Sequence, residues 1–188
     1  MRPDDSPADL HRAVAGGFTS IVEGTAPGDW DAPAPVEGWT ARDVVRHLVT
    51  WFPGFLEGGS GVAVPAGPGV DADPVAAWRA QADGVQAVLD DPVASATAFS
   101  NPHTGEMPVE VAISRFYTGD VFMHTWDLAR ATGQPHGLDD ELAGAMLAGM
   151  EPIEEMLRAS GQYGPRVDVP DDADAVSRLM GFVGRDPS

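Results

Sequence analysis

Apolar residues recur at intervals of three and four along successive stretches of this chain, and proline- and glycine-rich segments separate them. In the first stretch, from about Ser6 to Glu23, Leu10, Val14, Phe18, Ile21 and Val22 keep a helical spacing. The segment APGDWDAPAPVEGW follows, where repeated prolines exclude helix. Thr40 then reads as an N-cap with Asp43 three residues on, a capping-box start. Helix two continues through ARDVVRHLVTWFPGFLEG, with a kink expected at Pro53. After the turns GGSG and AGPG, Asp73 caps helix three and Pro74 opens it, and the pattern reaches about Leu89. DDPVASATAFSNPHTGEMP reads as irregular or briefly extended. Helix four covers roughly Val109 to Thr132, closed by Gly133 with Pro135 beyond. Helix five runs from about Asp139 to Ala159 and stops at Gly161, and a short last helix lies at about Asp171 to Phe182.

Four long amphipathic helices with a long connection between the second and third predict an all-α four-helix bundle with a crossover. The N-terminal and C-terminal additions, including the short C-terminal segments, are expected to pack on its outside. The 188 residues are read as one domain, 1–188, long enough to bury a real core.

Composition narrows the functions. Hydrophobic content of 43% with 21% charged residues is that of a globular chain. No window approaches the run of about 18 apolar residues that a membrane span needs. The start, MRPDDSPADL, has acidic residues where a signal peptide would be apolar, so a cytoplasmic protein is expected. Acidic residues outnumber basic ones 29 to 11, and the net charge of −18 repels nucleic-acid phosphates. All the basic residues are arginines, and they are scattered rather than gathered into a patch. There is no cysteine, which removes disulfides, thiolate zinc sites and a protein thiol nucleophile together. Thiol chemistry here would need a thiol carried by a small molecule, and a metal would need histidine and carboxylate.

Helix four raises the chemical question. In GDVFMHTWDLA a histidine lies between two aspartates within an apolar run. At about 100° per residue, Ile113, Phe116, Tyr117, His124, Asp127, Leu128 and Ala131 all fall within about 80° of Asp120. The polar trio thus sits in the middle of the stripe that should face the core. Asp120 and His124, four apart, have Cβ atoms about 5–6 Å from each other, close enough to reach one ion. An aspartate and a histidine so placed can also simply share a charge-assisted hydrogen bond, and two ligands do not make a metal site.

Helix two offers a third. His47 lies at the edge of the stripe made by Val44, Leu48, Trp51 and Phe55, so it points toward the bundle interior, where ions are held by side chains from facing helices. A histidine beside a tryptophan can equally be a packed core residue. As a set, His47, Asp120 and His124 supply two imidazoles and one carboxylate and leave coordination positions open, as catalytic metal sites do. Asp127 reads as an acceptor behind the ligands rather than a fourth ligand. Trp51 and Tyr117 flank the site and are candidates to line a substrate cleft, with core packing as the alternative. His11 reads as a surface or supporting residue, His103 as a loop residue at a cleft mouth, and His136 as a solvated connection. Phe122 and Trp126 fall on the opposite face, which must therefore be covered too, by terminal segments or a second subunit.

The segments VEGWTARDVVRHLVTW, DVFMHTWDLARATGQP and RLMGFVGRDP together resemble an actinobacterial family of DinB-like metal-binding proteins, similar to the N-terminal domain of mycothiol-dependent maleylpyruvate isomerase. The resemblance spans nearly the whole chain. It implies a DinB/YfiT-like four-helix bundle holding a divalent metal, zinc or nickel; of the candidate ions zinc comes first, with nickel or iron as alternatives. It carries the helix-two ligand onto His47 and the paired ligands onto Asp120 and His124. Where the isomerase has glutamate, this chain has Asp120, one methylene shorter, which would draw the ion toward its helix.

The leading expectation is a metal-dependent S-transferase or isomerase that joins a low-molecular-weight thiol such as mycothiol to an electrophilic small molecule. One rival is a hydrolase built on the same triad, with Asp127 as its only visible base. The other is a bundle that binds an ion or small ligand without turnover. A homodimer is plausible in each case.

Overall fold

The computed structural model describes residues 5–102 and 104–188, so the expectation for His103 lies outside the described residues. Two compact units, Ser6–His136 and a smaller one holding Gly137–Ser188, are described each by itself.

The first unit begins with α1 (Pro7–Gly24), capped by Ser6, whose side chain accepts from the Asp9 N–H. α2 (Ala41–Ser60) opens on the expected capping box: Thr40 accepts from Asp43 N–H, and the Asp43 carboxylate accepts from Thr40 N–H at 2.9 Å. Pro53 lies inside α2, and Gly61 ends the helix at φ 74°. α3 (Pro74–Asp90) starts on Asp73 and Pro74, as the sequence indicates. Replacing Thr40 with alanine should cost about 1 kcal/mol, a fall of roughly 2–4 °C in the calorimetric melting temperature.

Two departures follow. A short α4 (Pro92–Ser95) leads into an antiparallel hairpin, β1 (Ala98–Asn101) with β2 (Gly105–Pro108), paired from Ala98 with Pro108 to Asn101 with Gly105. The fold is therefore mostly helical, broadly the all-α class expected, with a small two-stranded sheet added to it. The hairpin is anchored by Phe99, fully buried and 4.8 Å from the Phe55 ring. Gly59 of α2 has no side chain because a Cβ there would drive into the Phe99 ring. The second departure is in helix four. α5 (Val109–Ala112) passes into a π-helical stretch, Ile113–Thr118, before α6 (Gly119–Thr132) ends at Gly133 with φ 66°.

α1 packs against α3 and α6, and α2 packs against the same two helices. Phe18 with Trp78, ring centroids 4.4 Å apart, and Phe52 with Tyr117, 4.1 Å apart, fill the interior. Phe122 and Trp126 are buried as well.

In the smaller unit α7 (Asp140–Met150) packs on α9 (Ala175–Phe182). The expected long fifth helix breaks at Pro152, which lacks the N–H a continuous helix needs. A 3-10 turn, Glu151–Ile153, separates α7 from α8 (Glu154–Ala159). No helix among the described residues is long and apolar enough to cross a membrane.

Candidate metal centre

Packing of α2 on α6 brings the three side chains together. His47, two turns into α2, places Nε2 3.0 Å from Oδ2 of Asp120, in the first turn of α6. His124, one turn further along α6, places Nε2 3.4 Å from Oδ1 of the same carboxylate. One ligand atom from each residue lies within 4.8 Å of the others, and the two imidazole rings are 4.8 Å apart. The histidine–carboxylate separations compare with about 3.4 Å between ligands arranged tetrahedrally at ~2.1 Å from a zinc ion. The site is graded in depth: the His47 side chain is 31% exposed, Asp120 19% and His124 6%. Access is therefore from the His47 side, through an opening of about 380 Å³ lined by Gly38, Trp39, Asp43, Arg46, His47 and Thr50.

Asp127, fully buried, accepts from Nδ1 of His124 at 2.8 Å. A carboxylate can only accept, so the proton is on Nδ1 and Nε2 is the atom turned toward Asp120. That arrangement, a ligating imidazole backed by a carboxylate, is how metal-binding histidines are oriented. Burial works against charge on His124. The two carboxylates nevertheless outweigh it, and its pKa is raised to about 9. Burial also pushes the Asp120 carboxyl up, but His124 and His47 outweigh it and hold the group far below the usual carboxylate range. Without an ion, the pair is thus an imidazolium beside a carboxylate, and the donor chemistry fits a divalent cation that takes the proton's place.

The two flanking aromatics, read as cleft-lining or core residues, take separate places. Trp51 directs its indole N–H onto Oδ2 of Asp120 at 3.0 Å, so it supports a candidate ligand instead of merely lining a cleft. Tyr117 is fully enclosed, stacked on Phe52, and absent from the opening; core packing is its role. Burial raises the pKa of its hydroxyl far above the ordinary phenol value, outweighing the opposite effect of Gln81. His11, expected at the surface or in support, is buried, with Nδ1 2.8 Å from Gln86 Oε1; desolvation lowers its pKa. His136 is half-buried.

Trp39 is the site residue that spacing did not reveal. Its ring lies 5.7 Å from His124, nearly parallel at 18°, and 5.1 Å from His47. A pinned loop holds it there: Ala34 N–H donates to Trp39 O, Ala41 N–H to Ala32 O, and Gly38 turns at φ 77°. The available signal was Gly38-Trp39-Thr40, since a large residue just before an N-cap folds back over its own helix.

Comparison with known proteins places the chain in a family. The profile of the mycothiol maleylpyruvate isomerase N-terminal domain matches residues 11–129, a span that contains all three side chains of the cluster. Two uncharacterized proteins of Mycobacterium tuberculosis, one from strain CDC 1551 / Oshkosh and one from H37Rv, are each 30% identical over 182 residues. Each alignment covers 95% of this chain and 97% of the relative. No solved structure matches the chain.

Proposed function

The chain belongs to the family of the mycothiol maleylpyruvate isomerase N-terminal domain, and from that premise we propose that it is a divalent-metal protein catalysing S-transfer or isomerisation with a low-molecular-weight thiol such as mycothiol. The observation that carries the reading is the convergence of His47, Asp120 and His124, with His47 itself lining an opening. We read the circuit of α1, α2, α3 and α6 as the DinB/YfiT-like four-helix bundle, with the smaller unit as its C-terminal addition. Zinc is the first candidate, and the two-imidazole, one-carboxylate set also suits iron(II). When bound, such an ion would supply the Lewis acidity that keeps a coordinated thiol deprotonated near neutral pH.

The protein's own groups do the rest. His47, Asp120 and His124 would hold the ion, and Asp127 keeps the Nε2 of His124 turned toward it. Trp39 walls the imidazoles on one side, and Arg46, tied to Asp43 and Asp71, borders the opening where cosubstrate and electrophile would enter. Because the chain has no cysteine, the sulfur nucleophile arrives with the cosubstrate. In transfer, the new carbon–sulfur bond stays as the electrophile's carbon–halogen bond breaks to release halide, or its epoxide C–O bond opens to an alkoxide that takes a proton. In isomerisation the bond forms on a double-bond carbon, the substrate rotates, and the same bond breaks to return the thiolate. Hydrolysis is disfavoured because Asp127, its only visible base, is fully buried and committed to His124.

The test is to incubate metal-loaded protein with mycothiol and a panel of epoxides, activated haloarenes and unsaturated acids, and to follow products by mass spectrometry. A conjugate or isomer that disappears with chelation is the expected result. No product across the panel, from protein that holds its ion, would leave a metal-binding protein without turnover.

A further inference from the structure

Asp120 has three nitrogen neighbours, and one of them can keep its place whether or not a cation is bound. His47 Nε2 and Trp51 Nε1 each lie 3.0 Å from Oδ2, and His124 Nε2 lies 3.4 Å from Oδ1. An imidazole nitrogen that turns its lone pair to an ion can no longer donate to the carboxylate. The indole nitrogen is a donor only, with no lone pair to give a metal. We propose that Trp51 is a positioning residue, whose N–H holds the carboxylate of Asp120 in one orientation with and without the ion, so that this ligand is set before the ion arrives. The inference rests on the metal-centre reading above.

The surroundings show which partner fixes which. Trp51 is one turn beyond His47 on α2, so one helix face delivers both imidazole and indole to the same carboxylate oxygen. The indole is itself held by packing. Its ring centroid is 5.3 Å from Phe52, 5.5 Å from Phe55 and 6.1 Å from Tyr117, and Tyr117 is stacked on Phe52. The direction of the N–H is therefore set by the aromatic core. Asp120 projects from the start of α6, immediately after the π-helical stretch, and turning its carboxylate would break the indole bond. A ligand already ordered loses less freedom on binding, which is why supporting hydrogen bonds at metal sites are worth about 10–100-fold in affinity.

Trp51→Phe keeps an aromatic ring and deletes the N–H. Zinc affinity, measured by competition with a chelating dye, should fall about 10–100-fold in this variant. The visible spectrum of the cobalt(II)-loaded variant should also change, because the freed carboxylate can offer both oxygens. Far-UV circular dichroism monitors folding. A second readout needs no variant: in the unaltered protein, the Trp51 indole N–H should resist hydrogen exchange equally with and without zinc. Zinc affinity within about twofold of the unaltered protein together with an unchanged cobalt spectrum would overturn the proposal, as would an indole N–H that exchanges freely once zinc is bound. If the unaltered protein takes up no divalent ion, the metal-centre reading itself fails, a result separable from failure of the Trp51 role alone.

Discussion

Protein carrying His47→Ala should emerge from purification almost without metal, whereas the unaltered chain carries close to one equivalent. His47 is the contribution of α2 to a cluster whose other two members both stand on α6. Asp120 and His124 alone are a helical pair four residues apart, satisfied by their own charge-assisted contact. Such a pair gains little by exchanging a proton for an ion held by two side chains. Loss of a ligand should therefore exceed the roughly 10–100-fold penalty of losing a supporting partner. The substitution suits the question because the His47 side chain is 31% exposed and its neighbour Leu48 carries the core contact. Circular dichroism should show the helical fold intact. Elemental analysis of the two proteins side by side decides the matter, and stoichiometric metal in the variant would sink the triad.

Much of this was written into local sequence, and the exceptions have physical reasons. The starts of α2 and α3 follow from Thr40 with Asp43 and from Asp73-Pro74, because capping is local chemistry. The convergence of His47 with Asp120 could be anticipated because both lie on apolar stripes that two packed helices must turn toward each other. The hairpin was legible only as a segment irregular or briefly extended: AFSN and GEMP are too short to show alternation, and its Phe99 finds Phe55 more than forty residues away in sequence. The π-helical stretch before α6 has no residue signature. A projection at about 100° per residue therefore groups Tyr117 with the site residues, although its ring goes to Phe52. His11 read as a surface or supporting residue, and its partner stayed hidden since Gln86 lies 75 positions on. Trp51 was placed near the site by spacing, but which atom its indole would serve depends on the packing of two aromatic neighbours in α2 and one beyond it.

Zinc affinity should climb about tenfold per pH unit between pH 7 and 9 and level off above that, with about one proton released per ion bound at pH 7. The source is His124. Burial disfavours its charge, but Asp120 and Asp127 more than compensate, and the imidazole keeps its proton up to about pH 9 in the metal-free protein. An ion must displace that proton. Asp120 adds no slope, because its carboxyl is held far below the usual range and is already ionised. The same shift gives the metal-free protein the opposite trend. A histidine whose folded pKa lies above its ordinary 6.5 contributes stability that is complete below about 6.5 and is lost as pH rises through about 9. Heating curves of metal-free protein should therefore shift to lower temperature over that interval. Zinc-loaded protein should gain relative to it, because mass action stabilises the form that binds more tightly. Dye competition at pH 7, 8 and 9, with calorimetry in buffers of different ionisation enthalpy to count protons, measures both arms. A flat affinity profile with no proton released would mean that the imidazole between Asp120 and Asp127 is not the group whose proton an ion displaces, and the centre would lose its innermost ligand.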